Sequence, residues 1–118
     1  MCLVCFPIRV RIGSHKTEDE DQFMRNWEIE HCHGPTEKYE YRGKDGFIEL
    51  ETEQYQSEHL YIHRCCLVPG IYNLICRNTK NIFGWGNASI EIIGQRFCDD
   101  FVGNKVVRNV VIKGKLFV

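Results

Sequence analysis

Hydrophobic positions in this chain recur with a period of two, in short runs, and no stretch gives a convincing amphipathic helix. Val4, Phe6, Ile8, Val10 and Ile12 are apolar, whereas Arg9 and Arg11 take the opposite phase, as expected of a strand with one face in a core. Residues 23–31 alternate again, with Trp27, Ile29 and His31 on one side and Glu28 and Glu30 on the other, until Gly34-Pro35 interrupts. Residues 39–42 and 47–51 read as two more short strands around a Gly43-Lys44-Asp45-Gly46 turn, the second with Ile48 and Leu50 opposite Glu49 and Glu51. Residues 13–21 and 52–58 are polar and read as loops.

Leu60, Ile62 and Arg64 alternate with Tyr61, His63 and Cys65 and lead into residues 64–93, the stretch around which the chain is organised. Pro69-Gly70 is a turn pair, with proline fixing φ and glycine free to take φ > 0. Residues 71–77 are β-branched and aromatic, which favours a strand. In Phe83-Gly84-Trp85-Gly86 the indole is expected to lie over the end of a sheet, where a side chain on either glycine would clash. Residues 89–93 form a short apolar strand, and Gly94-Gln95 and Gly103-Asn104 are turns around 96–102. Residues 106–113 are strongly β-branched, with 116–118 extending them past Gly114. The sum is about eight or nine short strands with turn signals roughly every 8 to 12 residues. That spacing predicts an all-β antiparallel sandwich or jelly roll, with residues 1–118 forming one domain.

Composition narrows the function more than the fold. With 43% apolar and 26% charged residues over 118 positions, the chain has ordinary globular proportions and enough length for a real core. A net charge of −1 with no basic block argues against a nucleic-acid partner. No apolar run approaches the roughly 20 residues of a membrane span. The first ten residues are too short and interrupted for a signal peptide, so the expectation is a chain outside the usual secretory route, or one already processed or partial. Cys2, Cys5, Cys32, Cys65, Cys66, Cys76 and Cys98 make a high density, which points to an oxidising compartment and disulfides; the odd count leaves at least one thiol free or paired between chains. The competing reading makes several of them small buried hydrophobes.

Candidate chemistry is sparse. His31, Cys32 and His33, with His59, His63, Cys65 and Cys66, hold the residue types zinc prefers, but Cys65 and Cys66 are adjacent and point to opposite faces of a strand, so no metal site is expected. No cysteine sits at a strand-to-helix elbow or a helix N-terminus, where its pKa would fall, and the carboxylates look solvated, so no catalytic set is expected. The acidic run Glu18-Asp19-Glu20-Asp21 stacks like charges instead of alternating ligands with turn residues, as a solvated loop does. Asn87-Ala88-Ser89 is an N-glycosylation sequon on a loop rim. Trp85, Tyr61 and Tyr72 are candidate platforms for sugar stacking; the plainer reading makes Trp85 and Trp27 core plugs and the tyrosines sheet-edge residues.

Trp27-Glu28-Ile29, then Cys66-Leu67-Val68-Pro69-Gly70-Ile71-Tyr72-Asn73-Leu74, then Gly84-Trp85-Gly86-Asn87-Ala88-Ser89 and the strand at 90–93, together resemble a family of small β-sandwich modules. These occur in secreted and surface proteins of bacteria, ciliates and algae, and the likeness spans about residues 23–98. The resemblance implies a sandwich fold and an extracellular setting. Acidic loop positions of that family, suited to a cation, are here Asn78, Asn81 and Ile82 beside Lys80, a set that would hold calcium poorly.

The expectation is therefore a non-enzymatic structural or interaction module without a cofactor, a subunit of an extracellular or surface fibre or coat. Its partners would be copies of itself or other subunits. The candidate assembly residues lie on the two terminal strands: Val4, Phe6, Ile8 and Val10, with Val110, Ile112, Leu116 and Phe117. The alternatives are a carbohydrate-binding module and a small viral coat or cement protein made with reduced cysteines.

Overall fold

The computed structural model describes residues 2–13, 23–35, 37–43, 46–52 and 55–114, with the backbone alone for 37–43 and 46–52. Ten strands, β1 (Val4–Ile12), β2 (Arg25–Ile29), β3 (Cys32–Gly34), β4 (Glu37–Gly43), β5 (Gly46–Thr52), β6 (His59–Leu67), β7 (Gly70–Asn78), β8 (Ala88–Ile92), β9 (Gln95–Phe97) and β10 (Lys105–Ile112), make up the described secondary structure. Sheet I runs β6-β1-β8-β9 and sheet II runs β10-β7-β2-β3, both antiparallel, while β4 and β5 pair as a separate hairpin. The fold is all-β, two four-stranded sheets face to face, and among the described residues no helix is long and apolar enough to cross a membrane.

Alternation builds the core from both inner faces. Phe6, Ile8, Val10 and Ile12 of β1 are buried, and every residue between them is exposed. Ile90 and Ile92 join them from β8, and Trp27, Ile29, Leu74, Val110 and Ile112 meet them from sheet II. Burying one such side chain is worth about 1.5–3 kcal/mol.

Several sequence expectations change here. The strand at 23–31 ends at Ile29: Glu30 takes φ 53°, and Glu30-His31 turns the chain into β3, so His31 leaves the apolar face. Val68-Pro69 does not close a hairpin, because β6 belongs to sheet I and β7 to sheet II. The two terminal strands do not pair with each other. β1 is an inner strand, held by β6 along Val4–Ile12 and by β8 along Ile8–Ile12. Among the described residues β10 is an edge strand, paired with β7.

The cysteines tie the two layers. Cys32–Cys65 joins β3 to β6 and Cys76–Cys98 joins β7 to the segment after β9, each linking sheet II to sheet I. Cys5–Cys66 joins directly opposed residues of β1 and β6 on the outer side of sheet I. Adjacent Cys65 and Cys66 serve different bridges because neighbouring strand residues face opposite ways. The seventh cysteine, Cys2, is exposed and free.

Candidate functional site

The loop between β7 and β8 is shaped by one buried asparagine. Asn78 Oδ1 accepts from the Met24 and Lys80 amides at 3.0 and 3.1 Å, and its Nδ2 donates to Asn81 Oδ1 and the Gly84 carbonyl at 2.9 and 3.0 Å. Asn81 Oδ1 also accepts from the Phe83 amide at 2.8 Å. Two of the positions that are acidic in the resembling modules thus close the loop here with their own amides.

That closure seats Trp85, only 1% exposed, with its Nε1 donating to the Arg77 carbonyl at 2.9 Å. Its glycine neighbours are required. Gly84 and Gly86 have φ of 65° and 59°, and a Cβ on Gly84 would lie 2.0 Å from the Phe101 carbonyl oxygen. A Cβ on Gly86 would lie 2.6 Å from the Phe23 ring. Arg25 lies over that ring at 4.1 Å and donates from Nε to the Trp85 carbonyl at 2.6 Å. Burial pushes its pKa down to about 10, so the group stays charged at neutral pH, with Nη2 buried and unbonded.

A second polar cluster lies between the sheets. Trp27 Nε1 donates to the Tyr55 hydroxyl at 2.8 Å, and that hydroxyl meets His63 Nε2 at 2.7 Å. Desolvation, with a smaller push from the His33 charge, lowers the His63 pKa to about 4, so the ring is neutral at pH 7. Gly34 leaves room for this contact, since a Cβ there would lie 2.7 Å from both Trp27 Nε1 and the Tyr55 oxygen. Tyr55 was hidden in a polar stretch with no alternation to mark it. Cys32 and Cys65, near the cluster in sequence, are joined to each other. Among the described residues no group of three or more His, Cys, Asp or Glu side chains converges as metal ligands would.

The sugar-stacking candidates do not form a platform. Trp85 is buried in the core, which removes it. Tyr61 is half-buried at the start of β6, 4.7 Å from the Tyr55 ring and accepting from the Gln56 amide at 2.9 Å. Tyr72 is half-buried near the other end of β6, its hydroxyl bonded to the Val68 carbonyl. The extended chain from Tyr61 to Val68, about 23 Å, separates them. Asn87 is exposed at the entry to β8, its side chain packed over Gly13.

The assembly candidates fare differently from their strands. Phe6, Ile8 and Val10 are buried and Val4 is half-buried, all on an inner strand, so they present nothing to a partner. Val110 and Ile112 lie on the edge strand but point into the core at 1% exposure. Leu116 and Phe117 lie outside the described residues, as does the acidic run at 18–21. Exposed apolar residues lie in loops, at Ile82, Phe83, Ile93 and Val102, and on the outward phase of β6, β7 and β10. On the outer side of sheet II, Val111 lies opposite Ile71 and Val107 opposite Ile75. Ile71, Val111 and Val107 are 73%, 50% and 43% exposed, and Ile75 is half-buried. On the outer side of sheet I, Leu60 and Ile62 are exposed too, but Arg11 and Arg9 stand opposite them and break the apolar surface.

The fold and surfaces define a disulfide-stapled β-sandwich protein. Comparison with known protein families, curated proteins and solved structures finds no match to this chain.

Proposed function

We propose that this chain is a non-enzymatic interaction module that associates with further copies of itself through the outer face of sheet II, as a subunit of an extracellular or surface assembly. The observation that carries the reading is the two outward apolar pairs, Val107 with Ile75 and Val111 with Ile71, which flank the Asn109–Asn73 pair beside the edge of β10. Apolar pairs grouped on one exposed sheet face mark interaction sites more often than scattered single apolar residues do. The face is the better contact than the edge itself. Lys105, Arg108 and Lys113 line β10 and its end, and charges of one sign on an edge strand oppose direct strand-to-strand pairing.

Three disulfides support an oxidising, extracellular setting and weigh against a coat protein made with reduced cysteines. The resemblance to secreted sandwich modules agrees with that setting. The carbohydrate-binding alternative loses its principal platform with Trp85 buried.

Sedimentation velocity over a range of concentrations tests the reading. The oxidised protein is expected to sediment faster as concentration rises, and a Val107→Lys/Val111→Lys variant to stay monomeric while remaining folded. A wild type that stays strictly monomeric at the highest concentration refutes it.

A further inference from the structure

The outer side of sheet I carries a feature that association through sheet II leaves unused. Alternation along β1 and β6 turns Arg9, Arg11 and Arg64 outward, and β9 adds Arg96 beside them. The pairing fixes their layout. Arg9 lies opposite Ile62 on one side and Glu91 on the other, and Glu91 in turn lies opposite Arg96. Arg11 lies opposite Ser89, and Arg64 opposite Pro7. With outward positions about 7 Å apart along a strand and strands about 4.8 Å apart, these side chains start from a patch about 14 Å on a side.

All of these arginines are exposed, and among the described residues none is in an ion pair. The chain as a whole carries −1, so the patch is not a by-product of general basicity. Four arginines on this face, against Glu91 alone among the strand positions between them, leave it net positive, which favours a negative ligand. Every one of them is arginine and not lysine, which favours oxyanions that accept paired hydrogen bonds. At one end of the patch the surface sinks into a pocket of about 300 Å³ whose lining includes Arg11, Arg96, Asn87, Ser89 and Asp99.

We propose that this pocket and the arginine patch beside it bind an acidic polysaccharide, a linear chain bearing sulfate or carboxylate groups among free hydroxyls. Arg11 and Arg96 take an anionic group, and Ser89 and Asp99 give hydrogen-bonding partners to neighbouring hydroxyls. Arg9 and Arg64 extend the track for further anionic groups. Two features set this ligand apart from nucleic acid. Among the described residues no aromatic side chain lines the pocket for a base to stack on, and Asp99 within it opposes a densely phosphorylated strand. The site is on the opposite outer face from the association surface, so each claim can fail without the other.

The test uses the full oxidised chain made without N-glycosylation, because a glycan on Asn87 would stand in the pocket mouth. Binding of a heparin-derived oligosaccharide is measured by calorimetry, beside neutral dextran and single-stranded DNA of similar total charge. Heparin binding is expected to weaken as salt rises, with no heat from dextran and weaker binding of DNA. Arg11→Ser and Arg96→Ser should each cost about tenfold in affinity. Arg108→Ser, which removes the same charge from β10, should cost nothing. No heparin binding, equal binding of the DNA, or an equal loss from Arg108→Ser would each overturn the proposal. The substituted side chains are exposed, and a native circular dichroism spectrum for each variant separates lost binding from lost fold; should Arg11→Ser fail to fold, Arg11→Gln carries the same expectation.

Discussion

His63 shows how far burial alone can move a residue's chemistry. Its ring is 7% exposed, centred 5.2 Å from the Trp27 ring and 5.9 Å from that of Tyr55. Its pKa falls from the ordinary 6.5 to about 4, desolvation being the larger cause and the His33 charge the smaller. The unfolded chain therefore takes up a proton near pH 6.5 while the folded one resists until about pH 4. Between those values the unfolded state binds more protons, so this contribution is complete above about pH 6.5 and is lost as pH falls to about 4. The loss is at most about 3 kcal/mol. Urea midpoints across that interval should decline accordingly, and an NMR titration should place the His63 midpoint well below 6. A midpoint near 6.5 would contradict the buried Trp27–Tyr55–His63 contact. Nothing in the local sequence marks this cluster, because its members come from β2, a polar loop and β6, and only the stacking of the sheets brings them together.

At the scale of elements, strand positions were legible because one-sided burial imposes a period of two. Residues 4–12 carry that pattern, 71–77 and 106–113 carry a β-branched composition instead, and β1, β7 and β10 form over them. The sheet to which each strand belongs was not legible, since alternation is the same in either layer. Five of the assembly candidates, Phe6, Ile8, Val10, Val110 and Ile112, are buried for a related reason. In an alternating strand the more apolar phase is the one the core takes, so Phe6, Ile8, Val110 and Ile112 were the residues least able to meet a partner. Val107 and Val111, in the less conspicuous phase, are left outside. Adjacent residues of β10 should therefore answer the same substitution in opposite ways. Val111→Lys should leave the urea midpoint within about 0.5 kcal/mol of wild type, as surface changes usually do. Val110→Lys buries an unpaired charge and should cost more than about 3 kcal/mol or prevent folding.

For the whole molecule, the cysteine count pointed to disulfides with one thiol left over, and three bridges plus Cys2 match it. The pairing was beyond reach of the sequence because it depends on which strands face each other across the layers. Bridges that span 61, 33 and 22 residues restrict the unfolded chain, each worth about 3–4 kcal/mol when the stabilisation is treated as chain entropy. Replacing Cys76 and Cys98 together by serine should lower stability by about that amount in urea unfolding. Alkylation without reduction should label Cys2 alone; labels on other cysteines in natively sourced protein would place the chain in a reducing compartment and remove the extracellular reading.

Association through the outer face of sheet II is tested most directly by carbene footprinting of side chains, comparing dilute with concentrated protein. Labelling of Ile71, Val107 and Val111 should fall as concentration rises, while Leu60 and Ile62 on sheet I stay equally reactive. Unchanged labelling at Ile71, Val107 and Val111 across the range, or protection that appears at Leu60 and Ile62 instead, would contradict it.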